Sequence, residues 1–251
     1  MILDKELFLK KMDVDGMYIV ENMIDESQLK RLKSEIEAAT EKETDYHGTN
    51  DHKDYGMILL CAKYGGELLK IFEYDKLFLP FEWLLGDDCI MYSNTSSSMP
   101  PKSSNYSNRI HIDAPLEYPN NYHLRVLSLI ILDDFNDKNG ATWFLPKSHK
   151  LNKKPTEEYF FKNAERLNVK AGSVLYWNPK IWHAGGTNHS NEWRHAFTIV
   201  MTRNFCKQRM DVPCILDREL INFNLNNKAK RRLGYMSLPP KSYEDYYGRK
   251  P

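Results

Sequence analysis

The segment "NRIHIDAP", residues 108–115, places His111 and Asp113 two apart in an otherwise apolar, proline-ended stretch. On an extended strand, residues i and i+2 project to the same face, so an imidazole and a carboxylate can converge there on one ion. The alternative is two polar residues on a strand edge, and the decision between them rests on what surrounds the segment. Beyond residue 87, strand-like runs recur at 88–95, 108–112, 123–133, 141–145, 173–178 and 194–204, separated by turn residues. Such spacing predicts a mainly β second half, closed or double-sheeted, with His-x-Asp on one of its strands.

Upstream the periodicity is helical. Residues 4–12 read as a helix, Gly16 turns the chain into a strand at 17–20, and Leu29, Leu32, Ile36 and Ala39 recur at helical spacing behind Asp25 or Ser27 as a cap. Residues 65–86 read as helical with an interruption at Pro80, and the polar stretch 43–56 reads as a loop suited to a lid. One more helix is expected over 216–233, ahead of an exposed tail.

Bulk composition narrows the class of partner. The 251 residues suit one domain, and 35 basic against 34 acidic side chains give no field that would gather nucleic acid or an anionic membrane. A small-molecule substrate is expected; composition leaves the oligomeric state unknown. Cys61, Cys89, Cys206 and Cys214 form no C-x-x-C pair, which argues against a zinc knuckle or a dense disulfide framework and fits a reducing compartment. The first 16 residues carry charges throughout, unlike a signal peptide or a spanning helix, so a cytoplasmic protein is expected.

A third candidate ligand is His183, which follows the Asn178-Pro179 turn and precedes Gly185-Gly186, where backbone can pass close to a site. Two imidazoles and one carboxylate on one face of an ion leave three positions open, the arrangement of non-heme Fe(II) oxygenases. A cosubstrate such as 2-oxoglutarate takes two of those positions and O2 the third, and its distant carboxylate needs a cation. Arg194, eleven residues after His183, suits that need because guanidinium binds carboxylate as a fork.

The order H-x-D, then "NGATWFLPKSHK" (139–150), then "WHAGGTNHSNEWR" (182–194) resembles the phytanoyl-CoA dioxygenase-like (PhyH) family of Fe(II)/2-oxoglutarate-dependent oxygenases. Asn139-Gly140-Ala141, Pro146, Ser148 and His149 match its middle motif, with Lys147 where Gly is usual; Gly186, Asn188, Ser190 and Arg194 match its last. The N-terminal "DGMYIVENMIDESQLKRLKSEIE" (15–37) looks like the family's opening strand and helix, so the resemblance runs from about residue 9 to 205. It implies a double-stranded β-helix, a cupin-like jelly roll at about 87–205, buttressed by a helical part at 1–86 and by a C-terminal helix and tail at 206–251.

Carried over residue by residue, the resemblance makes His111, Asp113 and His183 the iron ligands and Arg194 the partner of the 2-oxoglutarate C5 carboxylate. Asn94 stands where relatives place an amide near the cosubstrate, and Ser128 and Thr198 are further candidates for bonds to it. Related halogenases replace the carboxylate by Gly or Ala; the intact Asp113 favours hydroxylation of a metabolite or natural-product intermediate, with release of succinate and CO2. Desaturation, cyclisation or epimerisation would use the same ligands. A cupin-type isomerase or a metal hydrolase would not need Arg194, and a non-catalytic binding module would not need the ligand set.

Lys102, Tyr106, Arg109 and Arg125 flank His-x-Asp and, with Trp143, are candidates for substrate contact, while 43–56 and 96–109 are candidates to close over it. The remaining polar aromatics read as structural: His149 as a loop cap, His195 as facing away from Arg194, and Trp177 and Trp182 as core and barrel-rim residues.

Overall fold

The apolar stripe Leu29, Leu32, Ile36 and Ala39 lies along a helix, Glu26–His47, that starts where Asp25 Oδ1 accepts the Gln28 amide at 2.9 Å. The computed structural model describes residues 3–47, 56–114, 118–119, 122–151, 153–221 and 223–248, with the side chains of 45, 47 and 106 outside the description. In chain order the elements are α1 (Lys5–Val14), β1 (Met17–Val20), α2 (Glu26–His47), α3 (Gly66–Lys70), α4 (Asp75–Leu85), β2 (Ile90–Ser96), β3 (Arg125–Ile131) and β4 (Trp143–Phe144). There follow α5 (Glu157–Asn163), β5 (Glu165–Arg166), β6 (Val174–Trp177), β7 (His183–Ala184), β8 (Ala196–Thr202), α6 (Val212–Glu219), α7 (Asn227–Arg232) and α8 (Tyr243–Gly248).

Two antiparallel sheets face each other in a jelly-roll core. The larger has the order β1-β6-β3-β8-β2, and the smaller β5-β4-β7, where His183 pairs with Phe144 on one side and bridges His111 on the other. Strand alternation sorts the larger sheet's side chains. Val126, Ile130, Tyr176, Ile199 and Met201 face the helices and join Phe8, Leu32, Ile36, Phe72, Phe78 and Phe81 in the main apolar layer. Leu127, Leu129, Trp177 and Val200 face inward with Phe144 and Phe135, between the sheets.

Several elements differ from the sequence expectation. Residues 43–47 continue α2 instead of looping, and the remainder of the expected lid to residue 55 lies outside the described residues. The span 65–86 is α3, a 3₁₀ turn at Ile71–Glu73 and α4, and Pro80 sits inside α4. The C-terminal helix is split into α6 and α7, because Asn226 Oδ1 accepts the Ala229 amide at 2.9 Å and starts a new helix.

Residues 108–112 are not a regular strand. Asn105 Oδ1 accepts the Ser107 amide at 3.1 Å and turns 106–108 into a 3₁₀ element, leaving a single ladder pair at His111. The motif glycines pack backbone on backbone: a Cβ on Gly140 would come within 2.7 Å of the Gly186 carbonyl, and one on Gly186 within 2.7 Å of the Ala141 carbonyl. Lys147 adopts φ +66°, the left-handed conformation that glycine takes at least cost, which accounts for glycine being usual there. No helix among the described residues is long and apolar enough to cross a membrane.

Candidate active site

His111 and His183 are held by each other's backbone, with His111 N donating to His183 O and His183 N to His111 O, both at 3.0 Å. The Asp113 amide donates to Pro179 O at 2.8 Å, which brings the carboxylate beside both rings. Each imidazole uses Nδ1 on a nearby carbonyl, His111 on Arg109 O at 2.7 Å and His183 on Ile181 O at 3.0 Å. With Nδ1 as the donor, Nε2 keeps its lone pair free for an ion.

His183 Nε2 lies 3.4 Å from Asp113 Oδ2 and His111 Nε2 lies 3.8 Å from Asp113 Oδ1, and the three ligand atoms fall within 4.8 Å of one another. Burial, reinforced by the neighbouring His183, pushes the His111 imidazole down to about 4, so it is neutral at ordinary pH as a ligand must be. Trp177 Nε1 donates to Asp113 Oδ2 at 3.3 Å and Phe144 stacks on the His183 ring at 5.3 Å. These supports aim one carboxylate and two imidazoles at one point and leave the opposite side open, a donor set that fits Fe(II).

That point lies in a cavity of about 1060 Å³, counting its open mouth. Arg194 enters the wall from a bridge with Met99 just before β8; it is 3% exposed, and its guanidinium lies 4.1 Å over the Phe135 ring. Its Nε is buried without a hydrogen-bond partner among the described residues, and burial pulls the group down to about 9 with Asp133 opposing. Arg194 is still a cation at neutral pH, and no carboxylate in the described structure forms an ion pair with it. Thr198 also lines the wall, bonded through Oγ1 to Ser97 Oγ at 2.8 Å.

Other expected contacts face elsewhere. Asn94 pairs with Ile199 on the helix side of the sheet, where its Oδ1 accepts the Ala62 amide at 2.9 Å and its Nδ2 donates to Thr198 O at 3.3 Å; it clamps strand to turn and does not line the cavity. Ser128 lies on that same outer side, since Leu127 and Leu129 take the inner positions. Trp143 faces outward under Arg166, whose guanidinium is 4.5 Å from its ring. Lys102 is tied to His189 O at 2.6 Å, and neither it nor the exposed Arg109 lines the cavity; the Tyr106 side chain lies outside the description. Of the proposed substrate contacts, Arg125 is on the wall.

The segment 97–109 is wall and not a free flap, because Ser97, Met99, Lys102 and Ser107 are stitched by backbone bonds to 185–196. His149 holds Asp13 O through Nε2 at 3.1 Å, and Asn188 ties its own loop to Met99 O and Glu192 O, so these motif residues shape the scaffold. Sequence reading passed over Tyr92, Arg209 and the Trp177 contact to Asp113. Alternation from Leu127 through its partner Trp177 would have found the last; nothing local marks Arg209.

The family profile described as phytanoyl-CoA dioxygenase (PhyH) matches residues 12–196, and the chain belongs to that family. An uncharacterized protein of Mycobacterium tuberculosis is 25% identical over 240 residues, covering 92% of this chain and 87% of its own. The iron/alpha-ketoglutarate-dependent dioxygenase ausU of Aspergillus calidoustus is 23% identical over 258 residues, covering 94% and 83%. Among solved structures, HygX from Streptomyces hygroscopicus, with nickel and 2-oxoglutarate bound, superposes with a TM-score of 0.63 at 14% identity, covering 82% of this chain and 89% of that one. Fold, family and ligand set define an Fe(II)/2-oxoglutarate-dependent oxygenase, with iron as its cofactor and 2-oxoglutarate and O2 as cosubstrates.

Proposed function

We propose that the protein hydroxylates a small organic molecule, a metabolite or natural-product intermediate, with His111, Asp113 and His183 as iron ligands and Arg194 as the anchor of the 2-oxoglutarate C5 carboxylate. The observation that carries this reading is Arg194 itself. A guanidinium that is 3% exposed, forms no ion pair in the described structure and faces the same cavity as the ligand triad is costly unless an anion completes it.

Bound iron supplies the O2-dependent oxidation of a C–H bond coupled to decarboxylation of the cosubstrate. The chain's own share is positioning. Trp177 and the two Nδ1 bonds fix the ligand directions, Arg194 with Thr198 and Ser97 sets how deep the cosubstrate sits, and Phe135, Phe144 and Leu129 keep its surroundings dry. Asp113 fills the position that related halogenases free for a halide, which favours hydroxylation. Desaturation, ring closure and epimerisation would use the same residues and differ in the product.

The test is succinate formation from 2-oxoglutarate in the purified protein with Fe(II) and oxygen. Succinate is expected only when both are present, and its loss in Asp113→Ala is expected to exceed about 100-fold. No succinate from the parent under any condition, or undiminished succinate from Asp113→Ala, overturns the reading.

A further inference from the structure

At the mouth of the same cavity stand two more cations with which no described carboxylate pairs. Arg125 opens β3 with its guanidinium 3.6 Å over the Tyr92 ring, and its Nε is buried with no hydrogen-bond acceptor among the described residues. The Arg209 amide donates to Tyr92 O at 3.0 Å, which fixes the arginine's backbone beside the same tyrosine; Arg125, Tyr92 and Arg209 all line the cavity. No ion pair joins either guanidinium to a described carboxylate, and Asp113 supplies the cavity lining's acidic side chain.

Strand register separates these cations from Arg194. Leu129 faces Thr198 near the deep end, whereas Arg125 faces Thr202, four residues along β3, roughly 13 Å away. Between the two ends lies Trp177, which pairs with Leu127 and touches Asp113. The metal position therefore divides the cavity, with Arg194 on one side and Arg125 and Arg209 on the other.

Charge then decides what the mouth accepts. A divalent iron with Asp113, and a doubly negative 2-oxoglutarate with Arg194, leave the deep half neutral, while two guanidinium charges stay uncompensated at the mouth. Arg125 is half-buried with its Nε unpaired, and exposed Arg209 lines the same cavity, so a negative ligand is the group that completes them. Apolar Leu127 and Val200, which pair with each other across β3 and β8, line the stretch of cavity between this end and the deep one, which asks for a carbon framework attached to that charge.

We propose that Arg125 and Arg209, with Tyr92 between them, form an anion subsite that recognises a carboxylate or phosphate group on an otherwise apolar substrate and presents its carbon chain to the iron position. This rests on the iron and 2-oxoglutarate reading given above.

The test uses octanoate, octyl phosphate and octanol, titrated by calorimetry into protein loaded with Mn(II) and 2-oxoglutarate under anaerobic conditions, so that no turnover occurs. The two anions are expected to bind at least roughly tenfold more tightly than octanol, and whichever anion is preferred identifies the group as carboxylate or phosphate. Arg209→Gln, an exposed position that leaves folding intact, should weaken both anions by roughly tenfold with no change for octanol. Arg125→Gln should do the same, and Arg125→Lys should recover part of the loss. Equal affinity for octanol and the anions, or anion binding unmoved by Arg209→Gln, overturns the subsite. A parallel 2-oxoglutarate titration separates the two proposals: a parent that binds no 2-oxoglutarate fails the iron and 2-oxoglutarate reading, whereas a parent that binds it and an Arg125→Gln variant that does not would overturn the subsite while leaving the iron ligands standing.

Discussion

The two faces of the larger sheet treat polar side chains in opposite ways. On the helix side, Asn94 is fully buried with both ends of its amide bonded, to Ala62 and to Thr198. On the cavity side, Arg194 and Arg125 each keep a buried Nε without an acceptor among the described residues. Both sets of residues belong to the same strands or their ends and differ by a step of alternation. The difference teaches where polarity is structural and where it is held ready: a group satisfied by the fold stabilises it, and a group the fold leaves incomplete is stabilised by a ligand.

Arg194→Met breaks this contrast most sharply. It keeps the stem over Phe135 and removes the charge. The 2-oxoglutarate dissociation constant is expected to rise by about 50-fold or more, corresponding to about 2–3 kcal/mol, while the melting temperature of the cosubstrate-free protein does not fall. Calorimetric titration and a thermal melt on the same sample check both halves. Unchanged 2-oxoglutarate affinity would remove Arg194 from the proposed site.

Asn94→Ala should show the reverse pattern. It strands the Ala62 amide inside the protein and cuts the tie from β2 to the turn at Cys61–Tyr64, costing about 2 kcal/mol of unfolding free energy. Cosubstrate affinity, measured well below the melting transition, should be within about twofold of the parent. A large affinity loss with normal stability would return Asn94 to the cosubstrate role that its sequence position suggested.

That exchange of roles shows what was legible in the sequence. That His111, Asp113 and His183 come together, with Arg194 on the same cavity wall, was readable because their spacing survives folding. Side-chain direction was not readable for Asn94, Ser128 or Trp143, since it depends on where each strand begins. β2 carries a register irregularity between Met91 and Ser93, and β4 is only two residues long, so a count along the sequence loses phase there. Arg209 was invisible for a different reason: it reaches the cavity from beyond β8 through one backbone bond to Tyr92.

His195 sharpens the contrast at a single peptide step from Arg194. Its ring turns away from the cavity, with Nδ1 3.0 Å from Ser98 Oγ and Nε2 3.7 Å from Glu37, and with Asp133, Lys33 and Arg194 as the other nearby charges. Burial pushes its imidazole down to about 4, outweighing the pull of Asp133. The unfolded chain therefore takes up the proton first as pH drops through about 6.5, and stability falls from there toward pH 4. Urea unfolding at pH 7 and pH 5 should show this residue's share as roughly 1–2 kcal/mol, absent in His195→Gln. An identical pH dependence in parent and variant would mean that the ring finds a counter-charge on protonation.

Ser128 is the position where the rule for the helix face is under most strain. It faces outward between Tyr176 and Ile199, fully buried, yet its Oγ has no hydrogen-bond partner among the described residues. A buried hydroxyl without a partner costs free energy, and alanine removes one small oxygen without opening a void large enough to offset that gain. Ser128→Ala should therefore leave the unfolding free energy unchanged or raise it by up to about 1 kcal/mol, with 2-oxoglutarate affinity unaffected. A loss beyond about 1 kcal/mol in a urea melt would show that the hydroxyl is completed by an ordered water, which would bring Ser128 under the same rule as Asn94. A gain would leave Ser128 as a helix-side polar group that the fold carries at a cost, unlike Arg194, whose cost the proposed 2-oxoglutarate carboxylate would remove.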